Sequence, residues 1–429
     1  MCLVNSINSL SRILHEMVRL ADPALCLKCR GRRFCGLTYC PLLVRARVTL
    51  TMSKVVSRPY LDGSSPPSVF IGWVNYPKVI AAIASPPIKG DTSHYDKPED
   101  WIKGNLRIDE LLTLRLTLVR GGNEVIINNL NNKFIEVLQE VALSERPVDV
   151  ELILRKPPKP RIEFDEIIPP IGPLAPLDNV RLGSNPYFGR YVDKVFYDAD
   201  MNAREAVIYL YRSGIEVSRI TRIFSVGGVG ISRYRKLVPT RWSITAVDKI
   251  LSDELITRIK DYPPIDKILF FTYRMHDNLF MAILIPSNTW WFEWMEAWFP
   301  GSTWNRFSSE VVIEGDCEGP QGRTTYPDIG GCYYASRLAV AEYLYRIKRK
   351  AIAVLLREIY EGFNVAIGVW FVRESLRHMF LTTKPIVLYE LEDLVKIMEK
   401  HARINPRVWI RRSLILRKFL NTMSLTKFK

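Results

Sequence analysis

Cys26-Leu27-Lys28-Cys29-Arg30-Gly31-Arg32-Arg33-Phe34-Cys35-Gly36-Leu37-Thr38-Tyr39-Cys40-Pro41 decides how the front of this chain is organised. It gathers four of the seven cysteines within fifteen residues, in the spacing C-x2-C-x5-C-x4-C. Zinc takes four soft ligands at tetrahedral corners. A C-x2-C turn supplies two of them from one knuckle, and a second close pair supplies the rest. Gly31 and Gly36 permit the turns, and Pro41 ends the second knuckle. Lys28, Arg30, Arg32 and Arg33 sit beside the sulfurs, where positive charge stabilises thiolates. Paired disulfides would need an oxidising compartment, and no signal-peptide pattern precedes them. An iron–sulfur cluster would use the same four thiolates and stays open as an alternative. The stretch reads as a small module in which Cys26, Cys29, Cys35 and Cys40 bind one Zn2+ ion.

Charge extends this picture outward. The chain of 429 residues carries a net charge of +15, and its placement is uneven. Residues 1–60 sum to +8, residues 401–429 to another +8, and the 340 residues between them to −1. Two basic ends on a neutral body suit a polyanion such as a phosphate backbone, whose condensed counterions are released on contact. The bases beside the cysteines, Lys28, Arg30, Arg32 and Arg33, are the expected DNA contacts. Residues 3–20 place Leu3, Ile7, Leu10, Ile13, Leu14 and Val18 at helical intervals among charged residues, which reads as an amphipathic helix rather than a leader. The apolar stretches 268–291 and 351–371 are interrupted by charges and are too broken to span a bilayer. The expectation is a soluble, cytoplasmic, nucleoid-associated protein.

The body reads as mixed α/β, following the small zinc module. Arg45–Met52 alternates like a strand, and Leu61–Pro67 reads as a polar turn. Short apolar segments follow, including Leu116–Val119 and Val148–Leu154. Lys156–Pro160 and Ile167–Pro176 are too rich in proline for regular elements. Helices are expected at Asn202–Ser213 and Ser336–Tyr360. Gly227-Gly-Val-Gly230 lacks the GK[ST] ending of a phosphate loop and reads as a glycine turn. The expected domains are 1–60 with the zinc module, 61–180 β-rich with a proline-rich linker, 181–420 mixed α/β, and a tail at 421–429.

Several stretches, taken in order, resemble the archaeal Nre family of DNA repair proteins. They are the cysteine cluster, Ser65-Pro-Pro-Ser-Val-Phe-Ile-Gly72, Leu237-Val-Pro-Thr-Arg-Trp-Ser-Ile-Thr-Ala-Val-Asp248, Gly330-Gly-Cys-Tyr-Tyr-Ala-Ser-Arg337 and Gly368-Val-Trp-Phe-Val-Arg-Glu-Ser375. The resemblance implies a role in DNA damage repair, a four-cysteine metal site, and a C-terminal motif that docks on the sliding clamp PCNA. It implies no settled catalytic activity. A clamp-binding peptide has the form Q-x-x-[LIM]-x-x-[FY]-[FY]. In the tail Thr422-Met-Ser-Leu-Thr-Lys-Phe-Lys429, Leu425 and Phe428 keep that spacing, Thr422 replaces the glutamine and Lys429 the second aromatic.

Three polar segments form a candidate pocket for the alternative of an enzyme acting on DNA or a nucleotide. They are Arg241 with Asp248, then Glu293, Glu296, Asp316, Glu318 and Arg323, then Arg373 with Glu374. Carboxylates and arginines in an aromatic setting suit a divalent cation or a phosphate. Heat-adapted ion-pair networks have the same composition.

Overall fold

The computed structural model describes residue 40 and residues 59–158, 165–305 and 308–418. The expected helix at 3–20, Cys26, Cys29, Cys35, Lys28, Arg30, Arg32, Arg33, the strand at 45–52, and Thr422, Leu425 and Phe428 lie outside the described residues. The chain divides into two compact units, Met1–Ile250 and Leu251–Lys429. The mixed α/β expectation for the body holds in both.

The first unit is built on β1 (Tyr60–Ser65), β2 (Ser68–Ile71), β3 (Lys78–Ser85), α1 (Pro98–Lys103), α2 (Ile108–Leu116), β4 (Val119–Ile126), α3 (Lys133–Leu143), β5 (Val148–Leu154) and β6 (Leu174–Leu182). Then come α4 (Arg190–Tyr197), α5 (Ala203–Arg212) and α6 (Val217–Ser225). The helix α7 (Thr240–Ile259) begins here and its last residues belong to the second unit. The sheet runs β1-β5-β6-β4-β3-β2, with β4 and β6 parallel and every other pair antiparallel.

Strand β5 shows why the sequence alternates. Val148, Val150, Leu152 and Leu154 are buried and the residues between them are not, the period of a strand with one covered face. Two expectations change here. The turn expected at 61–67 is mostly strand, with only Pro66-Pro67 left to reverse the chain. Its polar residues are satisfied internally: the Ser64 hydroxyl donates to Asp149 on the paired strand, and Thr92 donates to the Ser64 carbonyl at 2.7 Å. Likewise β6 begins inside the proline-rich stretch, at Leu174.

Other expectations stand. The helix α5 matches Asn202–Ser213 closely, because Asn202 and Glu205 form a reciprocal capping box at its start. Gly227 and Gly230 adopt φ of 71° and 101°, so this run is a glycine turn. A Cβ on Gly227 would also come within 2.8 Å of the Lys236 carbonyl.

The second unit contains β7 (Ile268–Met275), β8 (Asn278–Ile285), β9 (Trp291–Trp298), β10 (Val312–Glu318), α8 (Gly331–Ile347), β11 (Ile352–Ile359), α9 (Trp370–Thr382), β12 (Ile386–Leu388), α10 (Leu391–His401) and α11 (Pro406–Arg412). Its sheet runs β10-β9-β11-β8-β7-β12, with β9 and β11 parallel. Strands β8 and β11 are buried at every position, as central strands covered on both faces must be. One face carries Met281, Ile283, Met295, Val354 and Leu356, packed against Leu394, Met398, Trp409, Ile415 and Leu416 of the C-terminal segment. The other face meets α8 and α9, where Phe271 lies edge-on to Tyr343 and Phe380.

The single helix expected at Ser336–Tyr360 is corrected to a helix, a stop and a strand. Lys348 takes a left-handed φ of 53° and ends α8, after which Ile352–Ile359 crosses the middle of the sheet. A strand buried on both faces lacks alternation, so its apolar run is hard to tell from buried helix.

Candidate functional site

Period-two geometry sorts the expected pocket residues of the second unit. Glu293 and Glu296 are three apart on β9, an odd separation, so they point to opposite faces. Glu293 shares its face with the C-terminal segment. Its carboxylate accepts the Ser413 hydroxyl, the Leu414 N–H at 2.8 Å and the Ile415 N–H at 3.2 Å. Burial pushes its pKa up, and those three donors pull against that shift. On the same face, Glu358 of β11 accepts the Tyr360 hydroxyl at 2.7 Å, the Arg403 N–H at 2.8 Å, the Ile404 N–H at 3.1 Å and Trp409 Nε1 at 3.2 Å. Two buried carboxylates therefore hold the segment that leads to the tail, each through backbone N–H groups that have no partner in a strand or helix of their own.

The opposite face holds three separate arginine networks. Arg357 donates to Glu296 and to Asn278, both at 2.9 Å. Arg357 is 3% exposed, and its guanidinium lies within 6 Å of the rings of Phe280, Trp298, Phe363 and Phe371. Arg373 pairs with Glu374, and Arg377 bridges Glu374 to Glu342. The third network brings three expected residues together. Arg323 binds Asp316 at 2.7 Å, and Asp316 also accepts the Ile329 N–H at 2.9 Å. Beside them Glu318 accepts Arg337 at 2.8 Å and Trp290 Nε1 at 2.9 Å, while Arg337 also reaches Ser252 and Asp253. Tyr333 joins the two halves: Arg323 lies 5.2 Å from its ring, and burial followed by the Glu318 charge drives its hydroxyl pKa far up.

Here every expected carboxylate already faces an arginine or a set of N–H donors. Among the described residues, no three His, Cys, Asp or Glu side chains form a group that could hold a metal ion. The arrangement pins the 319–330 loop and α8 to the sheet. Arg337, Ser252, Asp253 and Arg357 take part in these networks, and sequence reading missed them. Matching buried Glu on strands to unassigned Arg two elements away would have suggested them.

In the first unit, Arg241 pairs with Asp165 at 3.3 Å and Glu166 at 2.8 Å and lies over the Trp73 ring at 5.3 Å. Asp248 is buried within α7. A cavity of about 740 Å³ opens beside β4, lined among others by Asn123, Glu124, Asn132, Arg155 and Lys156. None of the expected pocket residues lines it. Two of its charges are committed, Glu124 to Lys78 and Arg155 to Asp178. Cys40, the one described member of the cysteine cluster, is half-buried and carries a free thiol.

The chain matches the family described as Archaeal Nre, N-terminal, over residues 34–305, and Archaeal Nre, C-terminal, over residues 318–428. It belongs to the archaeal Nre family. The DNA repair protein NreB of Archaeoglobus fulgidus is 45% identical over 393 residues, spanning 92% of this chain and 97% of that protein. The DNA repair protein NreA of the same organism is 37% identical over 387 residues, covering 90% and 95%. NreA of Haloferax volcanii is 36% identical over 335 residues, covering 76% and 80%. No solved structure matches. The family match includes Cys35, Cys40 and Phe428. The networks around Arg337 and Arg357 straddle the two matched regions, since Ser252, Trp290 and Glu296 lie in the first and Glu318, Arg337 and Arg357 in the second.

Proposed function

We propose that this Nre protein is a DNA repair factor that binds DNA and docks on the sliding clamp PCNA through Thr422, Leu425 and Phe428. The observation that carries the reading is the mooring of the C-terminal segment. Glu293 and Glu358 hold residues 403–415 against the sheet, and Leu416 is buried in the same core. Thr422 follows six residues after Leu416, so chain length alone keeps it within about 22 Å of that anchor. A short peptide on so short a leash converts clamp affinity into a high local concentration of the whole body. Leu425 and Phe428 would plug an apolar pocket, with the aromatic ring as the main anchor.

At the other end, Cys26, Cys29, Cys35 and Cys40 would hold Zn2+. Four thiolates are a complete structural donor set. The ion would cross-link the module and present Lys28, Arg30, Arg32 and Arg33 to phosphates. The body needs no reaction of its own in this reading.

The deciding experiment is calorimetric titration of the cognate clamp with the intact chain and with Phe428→Ala. Binding by the intact chain that is lost in the variant supports docking. No binding by the intact chain, or unchanged binding by the variant, removes the tail from the proposal.

A further inference from the structure

Residues 187–236 of the first unit present bases and tyrosines together, in a way that no expected site uses. Along α4, Arg190, Lys194 and Tyr197 stand at i, i+4 and i+7, on one face of the helix. Each base lies over a ring: Arg190 is 4.5 Å from the ring of Tyr191, and Lys194 is 4.9 Å from that of Tyr209 on α5. Tyr191 and Tyr209 meet edge to face at 6.2 Å, which makes the two pairs continuous. Before α4, Arg146 lies 4.9 Å from the Tyr187 ring. Beyond it, the Ser232 N–H bonds the Ala199 carbonyl, and Arg233 lies 4.8 Å from the Tyr234 ring. Tyr187, Tyr197 and Tyr234 are 52%, 74% and 66% exposed.

Two further features make this strip a binding surface rather than scattered solvent contacts. First, Arg146, Arg190, Lys194 and Arg233 each lie over a ring face, and among the described residues none of them is held in an ion pair, the Asp198 carboxylate acting on Lys194 only from further off. The nearby Asp198 is turned into the backbone, where it accepts the N–H groups of Asp200 and Met201. Second, α4 is held at both ends. Buried Arg219 donates to the Leu143 and Phe188 carbonyls before it. Arg235 donates to the carbonyls of Val195, Phe196, Asp198 and Gly230 at its end. The exposed aromatic group Trp73, Tyr76 and Trp242 compares poorly, because its cation, Arg241, is spent on Asp165 and Glu166.

We infer that this strip binds single-stranded DNA. Its bases track phosphates and its exposed tyrosines stack nucleobases, the pairing of charge and ring that sequence-tolerant single-strand binding uses. The strip is preorganised by Arg219 and Arg235, so little ordering is required on binding. The inference rests on the DNA-binding reading above and names the strand form and the surface.

The test is fluorescence anisotropy of a labelled oligothymidine of about 16 nucleotides with the full chain, repeated over a range of salt. The double variant Arg190→Glu with Lys194→Glu should lose affinity at least about tenfold, and its slope of log affinity against log salt should be shallower by roughly 1.4. The double variant Tyr197→Ala with Tyr234→Ala should also lose about tenfold or more while keeping the wild-type slope, because stacking releases no counterions. Both exchanges are on exposed positions, and unchanged circular dichroism keeps the comparison valid. Wild-type affinity in the charge-reversed variant, or no binding of single strands by the wild type, overturns the inference. DNA binding that ignores both variants but vanishes when Lys28, Arg30, Arg32 and Arg33 become alanine overturns the strip and leaves the broader function standing. Clamp titration of the strip variants should be unchanged.

Discussion

Arg357 shows how a buried ion is kept in place by what surrounds it. Removing its charge while Glu296 and Asn278 stay leaves two polar groups without partners in a dry interior. Arg357→Met should therefore cost about 3–5 kcal/mol, read as a fall in the urea midpoint. A loss under about 1 kcal/mol would show that water reaches Glu296. Asp277 gives a prediction of opposite sign. Burial, then the Glu361 charge, raises its carboxyl pKa above the ordinary 3.8, and its Oδ2 has no hydrogen-bond partner. The folded protein keeps this proton to higher pH than the unfolded chain does. The associated stability is complete below the unfolded value and is lost as pH rises through the folded one. Asp277→Asn should then gain about 0.5 kcal/mol at neutral pH, after allowance for solvent screening, and flatten the acid-side stability profile. The backbone there, at φ 55°, already suits asparagine. Guanidinium unfolding curves at several pH values decide it, and a variant that is less stable at neutral pH sinks the idea. At this scale the sequence was partly legible. The identities of the charged residues were plain, but Glu293 and Glu296 were placed in one pocket although their odd separation on a strand forbids it.

Elements were read well where a local signal exists and poorly where burial erases it. The expected helix at Asn202–Ser213 starts on the Asn202 and Glu205 box, and Val148–Leu154, expected only as a short apolar segment, carries the alternation of β5. The boundary between α8 and β11 carried neither signal, since a helix buried on most sides and a strand buried on both look alike in hydrophobicity. The only punctuation is Lys348, a residue with a Cβ in a conformation that favours glycine. Lys348→Gly should stabilise the protein by roughly 0.5–1 kcal/mol, seen as a higher thermal midpoint. An unchanged or lower midpoint would mean that the lysine side chain contributes more there than its backbone strain costs.

The whole chain is a neutral body between two basic ends, and that was visible from charge alone. The DNA strip was less visible, because its bases and rings are brought together by the α4–α5 contact and by the turn at 232–234, from segments up to 88 residues apart, from Arg146 to Tyr234. If the cysteine module holds a structural ion, one zinc per chain should be found by elemental analysis, and chelation should leave the main thermal transition of the two described units in place. A large fall in that transition would show that the module supports the body as well as the front. The seating of residues 403–416 also dictates where this chain can be cut. Cutting after Lys418 leaves every described contact of that segment in place. Cutting before Arg403 takes Trp409, Ile415 and Leu416 off the sheet face bearing Met281, Ile283, Met295 and Leu356, leaves Glu293 without its three donors and leaves Glu358 with the Tyr360 hydroxyl alone. A tail deletion made a few residues too early would thus register as an insoluble protein and be mistaken for loss of the proposed clamp binding.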